Sequence, residues 1–118
     1  MTLDFKPFCL FIHKAAANDK LGLMKRYLSN NPECDLNITD PEGWTALHWA
    51  CANNSLACFG YLIDQYVDVN KLDDKGWSPL LVAAAARNQY FVDVLLRVGA
   101  DPNQLTDQGS AYWELMLV

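Results

Sequence analysis

Residues 40–52 read Asp40-Pro41-Glu42-Gly43-Trp44-Thr45-Ala46-Leu47-His48-Trp49-Ala50-Cys51-Ala52, and 33 residues further on the chain reads Asp73-Asp74-Lys75-Gly76-Trp77-Ser78-Pro79-Leu80-Leu81-Val82-Ala83-Ala84-Ala85. Gly43, Gly76 and Gly109 share that spacing. Each copy opens on an Asp/Gly turn. Thr45 or Ser78 then stands where a hydroxyl can accept a free N–H of a helix's first turn. Pro79 follows at the first helical position, where its missing N–H costs nothing. The first helix carries small residues, Ala50-Cys51-Ala52 and Ala83 through Ala86, so neighbouring helices can approach closely. A second helix carries a bulky apolar stripe at helical spacing: Phe59, Leu62 and Ile63, then Phe91, Val94, Leu95 and Leu96.

Working outward, Ile12-His13-Lys14-Ala15-Ala16 matches Leu47-His48-Trp49-Ala50-Cys51 at an offset of 35, whereas Asp35-Leu36-Asn37 matches Asp68-Val69-Asn70 at 33. The two extra residues fall between Ser29 and Glu33, where Asn30, Asn31 and Pro32 make an insertion cheap. Asp101-Pro102-Asn103 closes the third unit, and Thr106-Asp107-Gln108-Gly109 opens a last one with room for one helix. The expected repeats are approximately 8–39, 40–72, 73–105 and a partial 106–118, in a single all-α domain. One unit cannot bury its own stripe, so the units must stack into a solenoid.

With the 33-residue period, Thr45-Ala46-Leu47-His48-Trp49-Ala50 and Val98-Gly99-Ala100-Asp101-Pro102-Asn103 resemble the ankyrin repeat, over residues 12–118. The resemblance implies an ankyrin-repeat solenoid of helix-turn-helix units that binds proteins. The sequence departs from the pattern at four positions. Asn54 and Arg87 stand where a glycine ends the first helix, Tyr66 where a glycine ends the second, and Leu81 where the pattern has His. A helix end of this kind uses left-handed backbone, which Asn tolerates and Arg tolerates poorly. Each departure costs on the order of 1 kcal/mol.

Composition narrows the function. The 118 residues are 52% hydrophobic and 19% charged, which suits one folded domain. A net charge of −5, with only 9 Lys and Arg, opposes general binding to nucleic acid or to acidic membranes. No apolar run reaches the roughly 18 residues of a membrane span. The stretch Phe8 to Ile12 is too short for a signal-peptide core. The expected location is therefore cytoplasmic or nuclear. Cys9, Cys34, Cys51 and Cys58 lack C-x-x-C or zinc-ligand spacing and read as apolar residues of a reducing compartment.

Candidate chemistry is sparse. The resemblance implies that His13 and His48 hydrogen-bond the backbone of the turns. Asp40, Asp73, Asp74, Asp101 and Asp107 read as turn residues rather than a catalytic set. Glycine-rich phosphate loops and Ser-His-Asp groupings are absent from the sequence. The expectation is no enzyme, no cofactor and no metal.

Trp44 and Trp77 are the informative residues. The resemblance implies that their position projects from the turn into a concave groove, where they would form an aromatic column and contact a partner protein. The alternative is that each packs on its own turn. Glu42, Asn53, Asp74 and Lys75 complete the candidate protein-binding set, with Pro41, Ala52, Ala85 and Ala86 beside it. Trp49 is expected to pack between repeats. The reading is an adaptor or assembly factor with one or more protein partners.

Two alternatives accompany it. Ankyrin repeats resembling this one are substrates of an asparaginyl hydroxylase. Leu62, eight residues before Asn70, and Asp68-Val69 directly before it fit that preference. Asn103 follows Pro102 instead, and Asn37 has Ser29 in place of the leucine. The second alternative is a truncated form of a longer array, because Tyr112 to Val118 is apolar for a capping helix. An open apolar end would favour self-association.

Overall fold

The computed structural model describes residues 7–117, with side chains from Phe11 onward. Cys9 and Val118 lie outside the described side chains. The described residues form seven helices and no strand: α1 (Pro7–Ala17), α2 (Leu21–Asn30), α3 (Ala46–Ala52), α4 (Leu56–Asp64), α5 (Pro79–Ala85), α6 (Gln89–Arg97) and α7 (Tyr112–Met116). Helices α1, α3, α5 and α7 stack in one row, and α2, α4 and α6 pair with the first three as antiparallel hairpins. The result is an all-α solenoid 44 × 30 × 21 Å across.

Side-chain caps set where the first-row helices begin. Thr45 Oγ1 accepts the His48 N–H, and His48 Nδ1 accepts the Thr45 N–H in return. Ser78 Oγ accepts the Leu81 N–H, with Pro79 beginning α5. At α7 the N-cap is Ala111, which has no hydroxyl, so only the returning half of the cap forms: Glu114 Oε1 accepts the Ala111 N–H at 2.7 Å. Helix α4 takes its cap from the preceding repeat, where Asp19 Oδ1 accepts the Cys58 N–H at 3.0 Å.

The ends of these helices carry the strain expected from the sequence. Asn54, Tyr66 and Arg87 adopt φ of 56°, 57° and 60°, and Asp19 joins them at 55°. Gly99 is the one position of this kind where the pattern's glycine remains, at φ 107°. Two of the strained side chains are used across repeats: Asp19 caps α4, and Asn54 Oδ1 accepts the Asn88 amide.

The core runs the length of the stack. Phe59 and Phe91 lie ring on ring, centroids 3.8 Å apart, and join α4 to α6. Leu62 and Leu95 are buried with them, while Ile63, Val94 and Leu96 are only partly covered. Val92, outside the expected stripe, is also buried. Ala50, Cys51, Ala83 and Ala84 are buried where the first-row helices touch. Helix α7 packs on α5 and turns Tyr112, Leu115 and Met116 inward, leaving Trp113 55% and Leu117 79% exposed. The apolar C-terminal segment is thus half spent on the fold.

Candidate functional site

The turns between repeats are built by carboxylates. Asp40 Oδ1 accepts the N–H groups of Glu42 (3.0 Å) and Trp44 (2.9 Å). Asp73 Oδ1 does the same for Lys75 (2.9 Å) and Trp77 (2.8 Å). At the corresponding place in the last unit the Thr106 hydroxyl accepts from Gln108 and Ser110. These bonds match the turn role expected of Asp40 and Asp73, and Asp101 Oδ1 accepts the Asn103 N–H in the same way, whereas among the described residues the Asp74 and Asp107 side chains take no N–H of their own turns. Successive turns are pinned together by the Asp74 N–H, which donates to the Glu42 carbonyl at 3.1 Å. Gly43 sits at φ 84° against that junction, and a Cβ there would lie 2.7 Å from Asp74 Oδ1.

The tryptophans are fixed by the same carboxylates. Trp44 Nε1–H donates to Asp73 Oδ2 of the next repeat at 2.7 Å. Trp77 donates to Asp107 Oδ1 at 3.2 Å. The shift from the aligned position to its neighbour follows from Thr106, which offers no second oxygen. Trp49 donates to Asp40 Oδ2 at 2.9 Å and stands edge-on to Trp44, centroids 4.8 Å apart. Trp49 is thus bonded and paired within its own repeat, and it shares the groove lining with Trp77 and Val82 of the next. All three indoles are half-buried. The N–H edges of Trp44 and Trp77 are thus tied to the following unit, not only to their own turns, and both residues line a groove.

That groove encloses about 710 Å³. Its apolar lining is Trp44, Trp49, Trp77, Val82 and the small residues Ala52, Ala85 and Ala86. Its polar lining is Glu42, Asp73, Asp74, Lys75, Asp107 and Gln108. Of the residues singled out in the sequence, Glu42, Trp44, Asp74, Lys75 and Trp77 come together here. Asn53 does not: it is the exposed C-cap of α3, and its amide donates to the Trp49 carbonyl at 3.0 Å. Asp107 and Gln108 were not read as site residues, although Gln108 lies 33 residues after Lys75 and Asp107 the same distance after Asp74.

His48 is buried against Trp44, with ring centroids 5.7 Å apart. Its Nε2 lies 2.9 Å from the Trp77 carbonyl, while Nδ1 accepts from Thr45, an arrangement that fits the neutral ring with its proton on Nε2. Burial lowers its pKa, against the smaller raising effects of the Trp77 carbonyl and of Asp73 and Asp40. His48 thus links the second and third repeats structurally. His13 reaches the Ile38 carbonyl at 2.9 Å, and its buried Nδ1 has no partner among the described residues. The sequence has Leu10, rather than a hydroxyl residue, where Thr45 stands in the next unit.

Other reactive groups are spent on packing. Burial raises the Cys51 thiol far above its ordinary range and pushes Cys58 up to about 11, with Asp19 adding to the second shift. Neither is a thiolate at neutral pH, so neither is poised as a nucleophile. Among the described residues no group of three His, Cys, Asp or Glu side chains is placed to hold a metal ion, and no helix is long and apolar enough to cross a membrane.

Asn70 lies outside the groove, in a second ladder. Its Oδ1 accepts the Asp101 N–H at 2.8 Å, and its amide donates to the Gly99 carbonyl at 3.1 Å. Asn37 Oδ1 makes the equivalent bond to Asp68 N–H. Leu62, the leucine of the hydroxylase preference, is fully buried.

Compared with known protein families, residues 12–106 match the family model for ankyrin repeats, in three copies.

Proposed function

The chain belongs to the ankyrin-repeat family, whose members are generally protein–protein interaction modules, and on that premise we propose that its groove around Trp44 and Trp77 seats a partner protein. The observation that carries this reading is the set of three indoles held by carboxylates along one open side of the stack, beside the small residues Ala52, Ala85 and Ala86. Side chains ordered before binding lose little entropy on contact, and tryptophan is favoured at interface hot spots. The role is that of an adaptor or assembly factor. The buried free thiols of Cys51 and Cys58 suit a reducing compartment, cytoplasmic or nuclear. The exposed Trp113 and Leu117 support self-association as a separate mode.

Removing the tryptophans is a poor test, because it also breaks bonds between repeats. Ala85→Tyr is better: the residue is exposed, lines the groove and ends α5. The variant should melt like the parent and lose the proteins that the parent retains from lysate. Retention of the same proteins by a folded Ala85→Tyr variant would remove the groove from the account.

The second reading, hydroxylation of Asn70, rests on the spacing of Leu62 and Asp68-Val69. Because Leu62 is buried and the Asn70 amide is bonded on both atoms, the enzyme would act on a locally opened segment. Mass spectrometry after incubation with the hydroxylase should then place oxygen on Asn70 before Asn103 or Asn37, and faster in destabilised variants.

A further inference from the structure

We infer that the groove selects a cationic segment of its partner, with an arginine or lysine side chain seated against the indoles of Trp44, Trp49 and Trp77 and its charge met by Glu42 and Asp74. This rests on the groove being the partner site and adds the chemistry of what it takes.

Four carboxylates line the groove, Glu42, Asp73, Asp74 and Asp107, against the single cation Lys75. Their uses differ. Asp73 spends both oxygens on the Trp77, Lys75 and Trp44 N–H groups, and Asp107 spends one on Trp77. Glu42 and Asp74 are exposed, and among the described residues neither side chain is held by a hydrogen bond or an ion pair. Negative charge is therefore left over at the mouth after the fold has taken what it needs.

The indoles are prepared for the same kind of ligand. Each donates its N–H to a carboxylate, which fixes the ring's edge and leaves surface on the groove side. An N–H shared with an anion also enriches the ring in electrons, and an electron-rich indole face attracts a cation. Aromatic faces and free carboxylates at one opening repel an acidic segment and give a neutral one no use for Glu42 and Asp74. A basic segment uses both, gaining cation–π contact inside and charge pairing at the rim.

The test is selection of random dodecapeptides on the whole chain, followed by affinity measurement on the parent and three variants. The expected result is enrichment of arginine and lysine. Binding should weaken roughly tenfold in Glu42→Gln/Asp74→Asn and with added salt, and be lost in Ala85→Tyr. Glu33→Gln/Asp64→Asn, which removes the same charge from exposed positions outside the groove, should leave it unchanged. Equal weakening by the two double variants would mean attraction to net charge alone and would overturn the inference. Neutral or acidic peptides that are still lost in Ala85→Tyr would overturn the preference for cations and keep the groove as the partner site. Peptides indifferent to Ala85→Tyr and to Glu42→Gln/Asp74→Asn would overturn both.

Discussion

Replacing Tyr66 by glycine should make this protein more stable, although tyrosine is the larger and more apolar residue. Tyr66 ends α4 at φ 57° and is 93% exposed, so its side chain contributes almost no burial. Holding an L-residue in left-handed backbone costs about 1–2 kcal/mol. Glycine removes that cost but loosens the unfolded chain by about 0.4–1 kcal/mol. The net gain therefore lies between about 0 and 1.6 kcal/mol, with a centre of about 0.8 kcal/mol that corresponds to roughly 2–5 °C in Tm for a chain of this size. Arg87→Gly, at φ 60° on an exposed residue, should gain a similar amount. Tyr66→Ala separates the two contributions, because it removes the ring and keeps the strain; its effect should stay within about 0.5 kcal/mol. Gly99→Ala, at φ 107°, runs the experiment in reverse and should cost more than about 1 kcal/mol. Calorimetric melting of the four variants reads all of this. A fall in Tm for Tyr66→Gly, or no change for Gly99→Ala, would refute the strain assignment.

Three further outcomes follow from the same geometry. Because burial holds the folded His48 pKa below 6.5, the unfolded chain binds the extra proton first as pH falls; the stability His48 contributes is complete above pH 6.5 and declines below it, by at most about 1.4 kcal/mol per pH unit. Urea titrations of His48→Leu between pH 7.5 and 5 should lose that slope and show a cost of roughly 2–4 kcal/mol at neutral pH, since the Thr45 N–H is left unpaired. Cys51 and Cys58 should resist alkylation in the native protein and react quickly in denaturant, as followed by mass spectrometry; fast native labelling of Cys58 would contradict its raised thiol. Glu substitutions at Trp113 and Leu117 should leave the fold intact and reduce any self-association seen by sedimentation at rising concentration, whereas Leu115→Glu should damage the C-terminal end.

The fold was legible because its information is local and repeated. Gly43, Gly76 and Gly109 mark the period, Thr45 and Ser78 mark helix starts, and each feature depends on residues within one turn of chain. The left-handed positions of Asn54, Tyr66 and Arg87 were legible for the same reason. Asp19 stands 35 residues before Asn54, the offset at which the first unit aligns, so the same signal marks it. What sequence reading missed depends on contacts across repeats. The partner of the Trp44 indole, Asp73, lies 29 residues away, and the choice between Asp73 and its neighbour Asp74 depends on side-chain reach. Trp77 uses Asp107 only because position 106 is a threonine. Trp49 enters the groove through its pairing with Trp44, and Asn53 leaves it because a helix end turns that side chain back onto Trp49. Periodicity names the face of a repeat, while hydrogen-bonding geometry decides which residues on that face remain open.

Photo-crosslinking tests the central claim most directly. A benzoylphenylalanine placed at Gln108, an exposed residue of the groove lining, reports on the groove without filling its floor, and one placed at Asp93, exposed on α6, lies outside that lining. If the groove seats the partner, a bound partner or selected peptide should crosslink at position 108 and not at position 93. Crosslinking at 93 with none at 108, by a chain that still folds, would contradict the account.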